Sequence, residues 1–184
     1  KRKVKLLCKY VRSSNIFCVQ ESRGSWALVD KHLGLIRRGF WIVASFCESN
    51  AGGVITFIRK TTCPAESQFS NRVLVDGRAM CTQGLYGKQS IYNIHNYGLS
   101  RMEVSQLSQT IIKSNEDAAA NPLINNILIL GDMNISANPS EMFNYRNPKR
   151  SLDMRLPDGH VHRRGGALGD ALAKYIEVES TTPT

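Results

Sequence analysis

The chain has 184 residues, of which 42% are apolar and 21% charged, a composition that suits one globular domain and excludes disordered and collagen-like classes. Lys and Arg number 24 against 15 Asp and Glu, a net charge of +9, which favours a polyanionic partner: nucleic acid first, a phosphoinositide-bearing membrane second. The longest apolar stretch, Phe40 to Cys47, falls far short of the roughly 20 residues of a membrane span. The basic opening Lys1 to Arg12 also lacks the apolar segment of a secretory signal. Five scattered cysteines without a close pair point to neither a disulfide framework nor a zinc site, and so to a reducing, intracellular compartment.

Taken in chain order, Lys1 to Arg12 carries Val4, Leu7 and Val11 on one helical face and six Lys and Arg residues around the rest, a solvated amphipathic helix. Ile16 to Val19 then predicts a short buried strand that delivers Gln20 and Glu21 at its end. Ser25 can cap a helix running through Leu35. Phe40 to Phe46 and Gly53 to Ile58 read as a hairpin joined at Ser49-Asn50-Ala51-Gly52. Arg72 to Val75, Arg78 to Thr82 and Ser90 to His95 continue as antiparallel strands, with turns at Asp76-Gly77 and over Gly84 to Lys88. Ser100 and Glu103 form a capping box for a helix that ends before Asn121-Pro122, and Ile127 to Leu130 is a second buried strand, ending in Gly131-Asp132-Met133-Asn134. From Asn144 to Gly166 the composition turns to Arg, Lys, Pro, Gly and His, predicting a basic surface loop; Leu168 to Val178 reads as a final strand or helix, and 179–184 as a flexible tail.

Glu21 and Asp132 each follow an apolar strand, so a sandwich placing those strands side by side brings two carboxylates to one edge. Such an oxygen-lined site suits magnesium, which takes one or two carboxylates and keeps several waters; the alternative is a pair of solvated strand-end acids. Asn134 can hold a phosphate or a water, or form an Asx turn. His95 can act as general acid or phosphate clamp, or serve structure alone. Arg78 can pair with phosphate or with a neighbouring acid. His160 and His162 have no metal-ligand companions, whereas Arg146, Lys149, Arg150, Arg155, Arg163 and Arg164 make an electrostatic footprint for a phosphate backbone or a solvated loop.

Five segments in order resemble the endonuclease/exonuclease/phosphatase superfamily, which includes pancreatic deoxyribonuclease, the apurinic endonucleases and the endonuclease domains of non-LTR retrotransposons. Ile16 to Glu21 is similar to its "IxxxQE" strand, Gly52-Gly53-Val54 to its GG hairpin, and Gly77-Arg78 to its GR turn. Ile91 to His95 is similar to its "NxH" strand and Leu130 to Asn134 to its "GDxN" motif. The resemblance implies an α+β fold over 1–184 as a single domain: a four-layer α/β/β/α sandwich of two mainly antiparallel sheets flanked by helices. It implies magnesium-dependent hydrolysis of DNA phosphodiesters, manganese being able to substitute, with no organic cofactor.

By the same resemblance Glu21 ligates the metal, Asp132 orients or deprotonates the attacking water, Asn134 holds phosphate and His95 completes the catalytic set. From their own chemistry Arg78, Asn96, Arg163 and Arg164 are expected as substrate contacts, and the resemblance adds Asp170 as a supporting residue. The position of His95 is histidine in the pancreatic branch and tyrosine in the other two, and the retroelement type, with a nuclear location, is the preferred branch. The family's opening strand with a metal-site asparagine and its closing Ser-Asp-His motif are not found, so the expectation is a domain truncated at both ends and of doubtful activity. Two rival readings stand beside the endonuclease: a nucleic-acid-binding remnant without chemistry, and a phosphatase or phosphodiesterase of the same superfamily.

Overall fold

The computed structural model describes residues 2–47, 52–86, 88–120 and 127–132. The chain divides into two compact units, Lys1–His95 with Pro122–Asp132, and Asn96–Asn121 with Met133–Thr184. The described part of the first unit holds two helices and seven strands: α1 (Arg2–Ser13), β1 (Ile16–Val19), α2 (Trp26–Leu33), β2 (Phe40–Ser45), β3 (Val54–Arg59), β4 (Ser70–Val75), β5 (Ala79–Leu85), β6 (Gln89–His95) and β7 (Ile127–Asp132). The described part of the second holds the helix α3 (Arg101–Ala120). The class is therefore mixed α+β, as the motif pattern implies. The basic loop 144–166, the final element at Leu168 to Val178 and the tail 179–184 lie outside the described residues.

Three strands form one sheet in the order β1-β3-β2, antiparallel throughout, and four form another in the order β4-β5-β6-β7. In the second sheet β4, β5 and β6 are antiparallel, while β7 lies parallel to β6, a pairing that requires a long crossover between them. The period-2 pattern explains how the first sheet is buried on both faces. Ile55 and Phe57 of β3 join Val11, Val29, Leu33, Ile36 and Phe40, with Val4 and Leu7 of α1 packed against them. The alternate position Ile58 joins Cys63, Phe69, Leu85 and Ile91, with Ile16, Cys18, Trp41, Val43 and Leu130 alongside, so side chains of both sheets share that cluster. This is why β3 is apolar at every position from Val54 to Ile58 except Thr56.

Local chemistry sets the element ends. Ser25 accepts the Leu28 amide at 3.4 Å as N-cap of α2, which stops at Leu33 rather than Leu35 because Gly34, a weak helix former, follows; Ile36–Arg38 then tightens into a 3-10 turn. At α3, Glu103 Oε2 accepts the Ser100 amide at 2.6 Å and Ser100 Oγ accepts the Glu103 amide at 3.2 Å, the reciprocal pair the sequence predicts. β5 runs on through Gly84 to Leu85 where a turn is expected. Gly84 sits at positive φ in a break of register between Thr82 and Leu85, so it marks a bulge inside the strand.

All five cysteines are free. Burial pushes the Cys18 thiol up to about 11, with the Thr56 hydroxyl at 3.8 Å pulling weakly the other way. The folded protein at pH 8 should therefore leave Cys18 unmodified by iodoacetamide while the chain in urea reacts at that position, as peptide mapping would show. The unfolded thiol ionises near 9 and the folded one near 11, so stability is complete below pH 9 and declines as pH rises through that interval, a decline that Cys18→Ala should flatten in urea titrations.

Candidate active site

The site grows from three backbone loops that approach more closely than side chains allow. The Ser22 amide donates to the Gly53 carbonyl at 3.1 Å and the Arg23 amide to the Gly52 carbonyl at 2.8 Å; the Gly53 amide donates to the Gly77 carbonyl at 2.8 Å. The loop after β1, the start of β3 and the β4–β5 turn are thus laced together. Gly53 has φ of 95°, and a Cβ there would stand 2.3 Å from Ser22 Oγ. Gly77 has φ of 60°, and a Cβ there would stand 2.2 Å from Cys47 Sγ and 2.6 Å from the Cys47 amide nitrogen. The GG and GR motifs are therefore conditions of close packing and left-handed backbone at once.

Gln20 and Asn93 tie the same region together from inside. Gln20 Nε2 donates to Asn93 Oδ1 at 2.7 Å, and Asn93 Nδ2 donates to the Ile55 carbonyl at 3.0 Å and Thr56 Oγ1 at 3.2 Å. Asn93 is buried in β6, whereas Ile55 and Thr56 belong to β3, so one amide satisfies itself across the two sheets. Sequence reasoning passed over Gln20, Asn93 and Thr56 as site residues. The signal was present in the polar Gln20 and Asn93 inside otherwise apolar strand motifs.

On this frame five charged or titratable groups gather. Glu21, at φ of 50°, holds its half-exposed carboxylate with Oε1 3.7 Å from His95 Nε2 and Oε2 3.8 Å from Arg23. Arg78 Nη1 donates to His95 Nδ1 at 2.9 Å, and the His95 amide donates to the Arg78 carbonyl at 2.7 Å. Asp132 stands opposite His95 in the β6–β7 register. Gly131 makes that register possible, since a Cβ there would lie 1.9 Å from the Ile94 carbonyl oxygen.

A guanidinium only donates, so Nδ1 accepts and the neutral ring carries its proton on Nε2, the nitrogen turned toward Glu21. His95 is 1% exposed, and burial first, then the Arg78 charge and more weakly that of Arg23, hold its pKa below the usual histidine value against the opposing pull of Glu21 and Asp132. The His95–Glu21 contact is accordingly one between a neutral imidazole and a carboxylate. A ring of this kind donates one hydrogen bond and cannot easily become a cation.

Glu21, Arg78, His95 and Asp132 are thus brought together. β1 and β7 belong to different sheets yet contact each other, and His95 at the end of β6 touches Glu21 and pairs in register with Asp132. Asn96 is buried and belongs to the second unit. Asn134, Arg163, Arg164 and Asp170 lie outside the described residues, as do His160 and His162.

The donor set fits a hard divalent cation that keeps much of its water, because Glu21 and Asp132 both expose carboxylates at this edge. Among the described residues no three His, Cys, Asp or Glu side chains form a closed metal cage. Glu21 would hold the ion, which when bound supplies polarisation of a phosphoryl oxygen and of water.

Glu21, His95 and Arg78 thus place an acid, an imidazole and a guanidinium in mutual reach where strands of the two sheets end. A family profile makes the assignment: the chain matches the Endonuclease/Exonuclease/phosphatase family over residues 1–176 and belongs to it. No curated protein sequence matches the chain. Among solved structures it is similar to an AP endonuclease from Archaeoglobus fulgidus, at 13% identity and a TM-score of 0.44, the match covering 92% of this chain and 63% of that one. The chain thus spans less than two thirds of that protein's length. No described helix is long and apolar enough to cross a membrane.

Proposed function

We propose that the chain is a magnesium-dependent phosphodiesterase acting on DNA, of the retroelement endonuclease type, and that 1–184 form one four-layer α/β/β/α domain. The observation that carries this is the meeting of Glu21, Arg78, His95 and Asp132 within a chain of this family. Glu21 holds the metal. Arg78 fixes the imidazole so that its Nε2 proton faces the Glu21 carboxylate, and His95 completes the catalytic set by orienting that acid. Asp132 orients or deprotonates the attacking water, and Asn134, two residues on, holds the phosphate. Arg163 and Arg164 contact the substrate, and Asp170 supports the site, whereas the burial of Asn96 sets it behind the site rather than on the substrate.

The net charge of +9 supports a polymeric anion over a small ester, and a DNA target in the nucleus accords with it. The substrate test offers supercoiled plasmid, a soluble inositol phosphate and a small aryl phosphodiester to the protein with magnesium. Cleavage of plasmid with no release of inorganic phosphate from the inositol compound is expected. The reverse order would transfer the protein to the family's phosphatases, and salt-sensitive DNA binding with no hydrolysis of any of the three would leave a binding module.

A further inference from the structure

We propose that the outward face of α1 is a docking surface for the phosphodiester backbone of duplex DNA, formed by Arg2, Lys5, Lys9 and Arg12. At 100° per residue these four positions fall within about 80° of the helix circumference and extend over about 15 Å of its axis. All four are exposed, while Val4, Leu7, Cys8 and Val11 face the core. They form one unbroken stripe.

Nothing in the helix balances the stripe. α1 contains no acidic residue, and the ion pairs of the described residues involve none of the four cations. Arg2 with Lys5, Lys5 with Lys9, and Lys9 with Arg12 are like-charge neighbours at three- and four-residue spacing, each unfavourable to the helix. Arg2 and Lys5 also lie in the first turns, where the helix dipole disfavours cations. A polyanion laid along the stripe relieves both penalties.

The geometry favours nucleic acid over a lipid surface. A helix that binds a bilayer inserts its apolar face, but Val4, Leu7, Cys8 and Val11 of α1 are packed against the protein core, which leaves only Leu6 and Tyr10 of its apolar residues half-exposed. A linear array of phosphates asks only for the charged row. Lys3 of the first turn and Ser22 of the loop after β1 line the same cavity as Val19, so the start of α1 lies at the end of β1 that carries Glu21. DNA held at the carboxylate edge could therefore continue along α1.

The inference rests on DNA being the substrate proposed above, and one set of measurements separates the two. Fluorescence anisotropy with a short duplex compares the wild-type protein, Lys5→Gln/Lys9→Gln, and a charge-matched control, Arg72→Gln/Lys88→Gln, across a range of salt. Loss of two phosphate contacts should flatten the log–log salt slope by about 1.8, which between about 1 M and 0.1 M salt is a weakening of about 60-fold. Circular dichroism should be unchanged, since glutamine preserves helix propensity. Equal weakening in the control, no weakening in the α1 variant, or no duplex binding by the wild type would overturn the docking surface. So would an α1 effect confined to anionic vesicles. Binding that depends on α1 without cleavage sinks the hydrolase reading and leaves the surface standing, and cleavage indifferent to α1 does the opposite.

Discussion

Gly131→Ala should lower the melting temperature by about 6–12 °C and the rate of hydrolysis by about 10²-fold or more. The added Cβ would stand 1.9 Å from the Ile94 carbonyl oxygen, 2.8 Å from its carbon and 3.0 Å from the Ile94 nitrogen, all backbone atoms of the paired strand. No side chain can move aside to make room. The end of β7 must part from β6 by about 1 Å or more, with an overpacking cost of about 3 kcal/mol. Asp132, the next residue, shifts away from His95 with it. Thermal melting and a plasmid assay on the same preparation check both halves; a variant as stable and as active as the parent would mean that the two strands do not pair at Gly131.

Glu21→Gln should behave in the opposite way, sparing the fold while removing about 10²–10³-fold of activity, the rate equivalent of a few kcal/mol of metal-supplied charge stabilisation. Its carboxylate is 48% exposed and stands 3.7 Å from His95 and 3.8 Å from Arg23, so neutralising it leaves little of the fold unsatisfied. Glutamine keeps the size but loses the hard anionic oxygen. Isothermal titration with magnesium should show a parallel loss of metal binding, with Glu66→Gln as an exposed control. Full activity in Glu21→Gln would remove Glu21 from the site.

The strands and helices were legible wherever period and punctuation agreed. Ile16 to Val19 stands as predicted because a short apolar run bounded by Asn15 and Gln20 has one sensible reading, and the Ser100–Glu103 box marks the start of α3 by direct hydrogen bonding. Gly84 misled because glycine signals a turn and a bulge alike, and only the register with β6 distinguishes them. The candidate site was legible as a set of residues more than as an arrangement. Sequence order placed Glu21 and Asp132 at strand ends, but which strands pair depends on long-range register, which local pattern does not encode. The role of Arg78 as partner of His95, and the Gln20–Asn93 bond across the sheets, likewise depend on contacts between residues far apart in the chain.

The most direct test of the central claim is conversion of supercoiled plasmid to nicked circles by this protein with magnesium, with EDTA, and as the Asp132→Asn variant. The arrangement of Glu21, His95 and Asp132 predicts nicking with magnesium that disappears in both other samples. Nicking that persists in EDTA or in Asp132→Asn, or none with magnesium, would contradict a metal-dependent phosphodiesterase built on these residues.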